Sequence, residues 1–484
     1  MNICMVSSEA VPFCKSGGLA DVVGALSNAL ALVGEDVRVV LPLYGSIKAD
    51  SFTDLSIKGE ISLLGSTETV TFKETTLGKV TYYFIQHPAF TARKGIYGDT
   101  SFTPYHDNLK RFTILNKAAL LLCKLLAWKV DIMHCHDWTC GFLPYLLKLQ
   151  NDAFYQKTKS VMTIHNLAYQ GEFSRLELLS CDILPDPKLF SGNIPTKRTN
   201  MLKCGLEFAD RLTTVSPTYA KEIQSKEFGC SLEGLLTERS SVLEGIINGI
   251  DPDEWNPMTD AFIAHHFSRE DQSGKALVKR ELQQEFHLPV DPEVPLFAMI
   301  SRLAEQKGFV ELLEGSPCVL EEMLQKHSMQ MILIGTGDSE MEKKLRELGN
   351  RYDTLSVNIL FSNKAAHRLE AGADFFLMPS RYEPCGLNQL YSLRYGTIPI
   401  ARKTGGLADS IIDLDEDPGK GTGILFESMS AHGILTAVQR ALQWYQKGQE
   451  TIQGIRERCM LWDSSWERSA KAYQTLYESS LRGN

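Results

Sequence analysis

Short apolar runs alternate with helical stretches along the whole chain, and this alternation limits the possible folds more than any other feature. Alternating strands and helices predict a mostly parallel sheet with helices on both faces. We predict strands in the first half at Asn2–Val6, Val37–Leu41, Val80–Ile85, Val130–Met133, Ser160–Ile164 and Arg211–Val215. A first helix is predicted from apolar residues that follow the spacing of one helix face, namely Leu19, Val22, Val23, Leu26 and Leu30.

A segment rich in Gly, Asp and Pro, residues 245–257, interrupts the alternation and is typical of a linker. Beyond it we predict a second set of strands at Leu296–Ser301, Met331–Ile334, Val357–Phe361, Phe375–Met378, Ile398–Ala401 and Gly423–Phe426. The pattern therefore predicts an α/β protein of two Rossmann-like, doubly wound domains with a deep cleft between them. A packed terminal helix is predicted from one apolar face, formed by Trp466, Ala470, Tyr473, Tyr477 and Leu481.

Charge and composition exclude several classes of protein. The formal net charge is -9 without a long basic run, which argues against nucleic acid and against anionic membranes as partners. The most apolar stretch, Ala118–Trp128, contains Lys124 and is too short to span a bilayer. The N-terminus lacks the features of a signal peptide, and the 11 cysteines lack paired spacing, as expected in a reducing compartment. We therefore expect a cytoplasmic protein.

The segment Lys15–Asp21 lies between the first predicted strand and the first predicted helix. Gly17 and Gly18 allow the backbone to approach a ligand, and the N-terminus of the following helix offers unpaired N–H groups to an anion. Lys15 adds a positive charge beside them. The alternative is a tight turn that carries a solvated lysine.

Two further segments follow predicted strands of the second half, at the strand ends where ligands of such sheets bind. Arg302 and Lys307 could both reach a diphosphate, although they could also be surface charges. Glu383 could accept hydrogen bonds from sugar hydroxyls, and the amides of Cys385 and Gly386 could bind an anionic oxygen. Alternatively, Glu383 is a first-turn residue that complements a helix dipole.

The segment His134–Trp138 also follows a predicted strand. His134 and His136 share a face, which raises the alternative of a metal site, but no further ligands cluster nearby in the sequence. We favour a carbohydrate site, in which Trp138 stacks on a sugar and Asp137 holds a hydroxyl. No metal is predicted.

Eight segments, taken together, resemble the family of bacterial glycogen synthases and plant starch synthases. They occur in the same order and at matching spacing from Lys15 to Asp409: KSGGLADV, HDW, TIHNLAYQG, VSPTYAKEI, NGID, SRLAEQKG, EPCGLNQL and TGGLAD. The resemblance implies a GT-B fold, with an acceptor domain at 1–248 that the C-terminal helix 463–484 joins, and a donor domain at 249–462. It implies a retaining, metal-independent transfer of glucose from ADP-glucose to the 4-hydroxyl of an α-1,4-glucan such as glycogen. No cofactor is expected, because ADP-glucose is a co-substrate.

The same resemblance implies roles for individual residues. Glu383, Asp137 and His165 would be catalytic, and Asp137 and Trp138 would contact the acceptor. The ADP-glucose site would consist of Lys15, Gly17, Gly18, Asn248, Arg302, Lys307, Phe361, Cys385, Gly386 and Gly406. Within that set, the three cations would hold the diphosphate and Phe361 would line the nucleobase.

Two other functions compete with this one. A metal-dependent transferase of the GT-A class has an apolar strand that ends in Asp-x-Asp, which Asp413 and Asp415 superficially match. A glucan-binding protein without activity could share the fold, since fold does not fix function. Such a protein should have lost charged groups of the phosphate site, whereas all of those groups are present here.

Overall fold

The computed structural model describes residues 1–99, 103–150, 153–183 and 198–483. The chain divides into two compact units, each with its own sheet and core. The first unit is Met1–Asn248 with Trp466–Asn484, and the second is Gly249–Ser465.

The described residues of the first unit form one large sheet and a separate antiparallel pair of short strands, Glu172–Ser174 and Arg198–Asn200. The strands are β1 (Asn2–Val6), β2 (Asp36–Pro42), β3 (Thr53–Leu63), β4 (Ser66–Leu77), β5 (Val80–Gln86), β6 (Ile132–His136), β7 (Lys159–Ile164), β8 (Glu172–Ser174), β9 (Arg198–Asn200), β10 (Arg211–Thr214) and β11 (Leu243–Gly245). The order in the large sheet is β11-β10-β7-β6-β1-β2-β5-β4-β3. Pairing is parallel from β11 to β5, and the strand order reverses between β1 and β6.

The second unit has a fully parallel sheet in the strand order of a dinucleotide-binding domain. Its strands are β12 (Leu296–Ile300), β13 (Gln330–Ile334), β14 (Leu355–Asn358), β15 (Phe375–Met378), β16 (Ile398–Arg402) and β17 (Ile424–Phe426). The order β14-β13-β12-β15-β16-β17 reverses between β12 and β15. In each sheet, therefore, the strand order reverses between the first strand of the unit and a later strand. Ligands of this fold bind at such a switch point.

Helices fill the connections between these strands. In the first unit they are α1 (Gly18–Leu32), α2 (Pro88–Thr91), α3 (Asn108–Leu125), α4 (Leu143–Lys148), α5 (Arg175–Ser180), α6 (Met201–Phe208), α7 (Pro217–Glu222) and α8 (Glu233–Glu238). In the second unit they are α9 (Ser273–Glu285), α10 (Phe309–Leu313), α11 (Val319–Lys326), α12 (Ser339–Gly349), α13 (Asn363–Gly372), α14 (Asn388–Arg394), α15 (Gly405–Ser410), α16 (Ala431–Tyr445) and α17 (Gln449–Met460). None of the helices within the described ranges is long and apolar enough to cross a membrane.

The last helix, α18 (Trp466–Arg482), packs against α1 in the first unit. Its apolar face was predicted correctly for Trp466, Ala470, Tyr473 and Tyr477, which are buried. The prediction was wrong for Leu481, which is 36% exposed. The buried stripe runs instead through Leu476 and ends at Ser480, so the next residue along the helix turns toward solvent.

The segment predicted as a linker, residues 245–257, contains the boundary between the two units, which follows Asn248. The segment is nevertheless packed, because Gly245 ends a strand and Ile250 and Trp255 are buried. One strand prediction differs from the structure. The strand predicted at Val357–Phe361 ends at Asn358, which leaves Phe361 beyond the sheet.

Candidate active site

The glycine-containing loop after β1 is held by Glu9, which is not among the predicted site residues. The buried Glu9 carboxylate accepts hydrogen bonds from the Ser16 amide at 2.5 Å and the Gly17 amide at 3.2 Å. It also accepts from the Ser16 hydroxyl at 2.9 Å and from the Tyr97 hydroxyl at 2.7 Å. Four donors on one carboxylate fix the conformation of this loop.

The groups predicted to bind phosphate lie on the open side of this loop. Lys15, Gly17 and Gly18 are exposed, and a Cβ added to Gly17 would meet nothing within 4 Å. The prediction that a helix begins here is confirmed, because α1 starts at Gly18. Lys15 pairs with Asp21 at 2.7 Å, and both side chains are accessible to solvent. An exposed pair of this kind is easily exchanged for a ligand.

Asp137 follows β6 with an unusual backbone, at φ 57 and ψ -176. Few residues other than glycine adopt this region, and such strain is characteristic of functional sites. Its Oδ1 accepts a hydrogen bond from the His165 amide at 2.8 Å. Burial raises the pKa of Asp137 to about 7, although hydrogen bonds from the His165 and Asn166 amides oppose the rise.

The raised pKa predicts a specific dependence of stability on pH. Between about pH 4 and about pH 7 the folded state keeps Asp137 protonated while the unfolded chain has it ionised, so the folded state binds more protons. The free energy of unfolding therefore falls with rising pH in this window, by about 1.4 kcal/mol per pH unit from this group. Asp137→Asn is neutral throughout and tolerates positive φ. We expect its melting temperature to rise relative to that of the wild type between about pH 4 and about pH 7.

The control for this prediction is Asp131→Asn. Asp131 accepts a hydrogen bond from the Asn2 amide at 2.7 Å and lies in the same unit, outside the site. A difference in melting temperature between Asp137→Asn and the wild type that stays constant with pH would contradict the raised pKa.

Three histidines lie side by side, two in β6 and one just after β7. His134 and His136 are fully buried, and His165 is half-buried. His136 Nδ1 lies 3.0 Å from His165 Nε2. His134 contacts the Thr163 hydroxyl at 2.6 Å and the Tyr477 hydroxyl at 2.8 Å. Burial lowers the pKa of both His134 and His165 to about 3, so these rings are neutral at physiological pH.

Trp138 and Asn248 complete the predicted residues of the first unit. Trp138 is half-buried, and its ring centroid lies 5.0 Å from that of Phe112 and 6.0 Å from that of Tyr97. This packing gives Trp138 a structural role, and its contact with a sugar stays a prediction. Asn248 is 6% exposed, and its Oδ1 is buried without a hydrogen-bond partner. A buried acceptor without a hydrogen bond costs free energy, and a ligand that donates a hydrogen bond to it would remove this cost.

In the second unit, Lys307 and Glu383 form a close ion pair at the switch point. Lys307 Nζ lies 2.5 Å from Glu383 Oε2, and the side chains are 20% and 9% exposed. The Ser380 hydroxyl donates to the same carboxylate oxygen at 3.1 Å. Arg302 is exposed, and its Nη2 lies 3.3 Å from Gln306 Oε1. Arg302 and Lys307, the two residues predicted to bind phosphate, therefore both lie after β12, as the sequence predicted.

Gly406 allows the loop after β16 to lie close against the loop after β15. A Cβ on Gly406 would lie 2.0 Å from the Cys385 carbonyl oxygen, so a side chain there would displace the loop that carries Glu383. Gly386 has φ 72, which favours glycine. Cys385 is 5% exposed. Helix α14 begins only at Asn388, so Glu383 lies outside its first turn and the structure contradicts the helix-dipole alternative.

A small cleft of about 20 Å³ is lined in part by Lys307, the cation of the Lys307–Glu383 pair. Its walls come from the ends of β12 and β15 and from the loops that follow them: Met299, Ile300, Ser301, Lys307, Leu377, Met378, Pro379, Ser380 and Asn388. The side-chain amide of Asn388, at the start of α14, donates a hydrogen bond to the Ile300 carbonyl at the end of β12, at 2.9 Å. The cleft is therefore at the switch point of the second sheet, where this fold binds ligands.

Phe361 is 92% exposed and lies just beyond β14. A phenyl ring exposed to this extent loses the free energy that burial would provide, about 1.5–3 kcal/mol. It is therefore available to contact a ligand, and its role beside a nucleobase stays a prediction.

The Asp-x-Asp segment of the metal-dependent alternative has a structural role. Asp415 Oδ2 pairs with Arg440 Nε at 2.6 Å, and Asp413 pairs with the same guanidinium at 2.5 Å. Asp413 also accepts from the Leu425 amide at 2.6 Å. Among the described residues, no three His, Cys, Asp or Glu side chains come together as a group that could hold a metal ion.

The chain is similar to known proteins along nearly its whole length. Residues 2–238 match the family described as the starch synthase catalytic domain, and residues 280–458 match glycosyl transferases group 1. The chain is 43% identical over 483 residues to a glycogen synthase of Anaeromyxobacter sp. (strain Fw109-5), with 99% of each chain covered. It is 40% identical over 485 residues to a glycogen synthase of Treponema denticola, again with 99% of each covered.

Among solved structures, the chain matches the catalytic domain of starch synthase IV from Arabidopsis thaliana bound to ADP and acarbose. The TM-score is 0.88 and the identity 32%, over 99% of both chains. These matches confirm the GT-B fold and the predicted family. The chain therefore belongs to the family of bacterial glycogen synthases and plant starch synthases.

Proposed function

We propose that the chain transfers glucose from ADP-glucose to the non-reducing 4-hydroxyl of an α-1,4-glucan such as glycogen, with retention of the α configuration and release of ADP. The observation that carries the proposal is the Lys307–Glu383 pair beside the cleft of the second unit. It joins a cation suited to a diphosphate with a carboxylate suited to sugar hydroxyls.

The chemistry of the pair allows both groups to act on one substrate. The Lys307 ammonium has three donors, so it can keep its contact with Glu383 and also bind a phosphate oxygen. Arg302 has five donors, more than its bond to Gln306 uses. A diphosphate held by several cations becomes a better leaving group, because the charge that develops on it is stabilised.

Neither Glu383 nor Asp137 is free to act as a carboxylate nucleophile, so retention of configuration needs another route. The Glu383 carboxylate accepts hydrogen bonds from the Lys307 ammonium and the Ser380 hydroxyl, and the Asp137 carboxylate accepts one from the His165 backbone amide. We assign these carboxylates to positioning the sugar and the acceptor hydroxyl. The departing diphosphate then accepts the proton of the attacking hydroxyl on the same face. The proposal assigns no cofactor, and ADP-glucose is a co-substrate.

The test compares nucleotide donors with one glucan acceptor. We expect ADP release from ADP-glucose to depend on added glycogen and to exceed UDP release from UDP-glucose by at least about tenfold in kcat/KM, a difference of about 1.4 kcal/mol in transition-state binding. EDTA should leave the rate unchanged. A higher rate with UDP-glucose would overturn the donor assignment, and nucleotide release independent of glycogen would overturn the transfer.

A further inference from the structure

His136 and His165 share one hydrogen bond between ring nitrogens. His136 ends β6 and is fully buried, whereas His165 follows β7 and is half-buried. Their contact joins His136 Nδ1 and His165 Nε2 at 3.0 Å. The His134 ring lies against His136, with centroids 4.1 Å apart, and holds it from one side.

A hydrogen bond between two neutral imidazoles has two possible arrangements. Either His136 Nδ1 carries the proton and His165 Nε2 accepts it, or the roles are reversed. Burial lowers the pKa of His136 well below its ordinary value, and the neighbouring His134 and His165 lower it further, so both rings are neutral. Each arrangement therefore places one proton on each ring.

The two arrangements differ in whether one buried nitrogen, His136 Nε2, carries a proton. His136 Nε2 is buried and has no hydrogen-bond partner. If His136 accepts, this nitrogen carries an N–H buried without an acceptor, and orphaned buried N–H groups are rare in native proteins. If His136 donates, the same nitrogen carries only a lone pair. The other nitrogen of the half-buried His165 can be satisfied by solvent or ligand in either case.

We propose that His136 is a positioning residue that donates from Nδ1 to His165 Nε2 and so fixes His165 as the tautomer with its proton on Nδ1. His165 then presents a hydrogen-bond donor to the substrate. The part that concerns substrate rests on the proposed function, whereas the tautomer is a property of the free protein. A buried partner that holds an imidazole in one tautomer is an established way to prepare such a ring for catalysis.

The tautomer can be measured directly in the full-length chain without substrate. Long-range ¹H–¹⁵N correlation of the histidine rings identifies which nitrogen carries the proton, and the His165→Gln spectrum assigns the His165 signals. At neutral pH we expect the ring proton of His165 on Nδ1 and its Nε2 unprotonated. A proton on Nε2, or protons on both nitrogens, would overturn the inference whether or not the enzyme is active.

Paired variants then test the functional consequence. His136→Leu removes the donor, and His136→Asn retains an amide N–H near the position of Nδ1. We expect His136→Leu to lower kcat/KM for ADP-glucose by about tenfold, and His136→Asn to recover most of that loss. Cys135→Ala is the control, because Cys135 is buried in the same strand with its side chain on the opposite face.

The outcomes separate this inference from the proposed function. Failure of the wild type to transfer glucose from ADP-glucose would defeat the proposed function, while the NMR result would still decide the tautomer. His136→Asn as impaired as His136→Leu, or His136→Leu with wild-type kinetics, would overturn the inference while the function stands. If His136→Leu does not fold, the wild-type spectrum decides alone.

Discussion

Glu383→Ala is expected to lower kcat by about 10² or more, while the KM for ADP-glucose changes much less. A carboxylate that binds the glucose hydroxyls more tightly as positive charge develops at the anomeric carbon acts mainly in the transition state. Lys307 and Arg302 remain in the variant and keep the ground-state affinity for the diphosphate. The measurement is kcat beside the melting temperature of the purified protein.

A loss of stability must be separated from a loss of catalysis, because Glu383 is 7% exposed and paired with Lys307. Glu321→Ala is the matched control. Glu321 is 8% exposed in the same unit, where it caps α11 and pairs with Arg351. We expect both variants to melt at lower temperature but only Glu383→Ala to lose kcat. Unchanged kcat in a destabilised Glu383→Ala would reduce Glu383 to a structural role.

Lys15→Ala is expected to reduce kcat/KM for ADP-glucose by about 10- to 150-fold, the equivalent of one charge-assisted hydrogen bond of about 1.5–3 kcal/mol. The fold should be unaffected, because the Lys15 side chain is 52% exposed. Its pair with Asp21 is a surface pair, whose contribution to stability is about 0–1 kcal/mol. Steady-state kinetics and the melting temperature measure the two effects separately.

Asp21→Asn distinguishes the diphosphate contact from the ion pair. It breaks the same pair, whose atoms lie 2.7 Å apart, but leaves the lysine in place. We expect this variant to keep most of its kcat/KM. Near-normal kinetics in a folded Lys15→Ala would remove Lys15 from the site, and equal losses in both variants would assign the effect to the pair.

The parts of the site that follow from local sequence were predictable. Lys15, Arg302 and Glu383 all follow strands of parallel sheets, and apolar runs identified those strands. The chain order then brings β1 beside β6 and β12 beside β15, so residues distant in sequence meet at a switch point. What such a pattern cannot supply is the partner of each group. The pairing of Lys307 with Glu383 depends on tertiary structure.

Two features were not predicted, and only one of them left a signal in the sequence. The hairpin of β3 and β4 has polar and apolar residues in alternation, and Ile61 and Leu63 are buried while Glu60 and Ser62 are exposed. This period of two is a usable strand signal, although it contains no continuous apolar run. Glu9 offered no such signal, because a carboxylate just after a strand shows its role only when Ser16 and Gly17 fold back onto it.

The structure of the product is the most direct test of the proposed glucose transfer. The wild type is incubated with ¹³C-labelled ADP-glucose and a short α-1,4-glucan, and the product is analysed by NMR while released ADP is quantified. We predict one labelled glucose at the non-reducing 4-position, in the α configuration, for each ADP released. Labelled glucose in a β linkage, or free in solution with no extended glucan, would contradict the proposed retaining transfer.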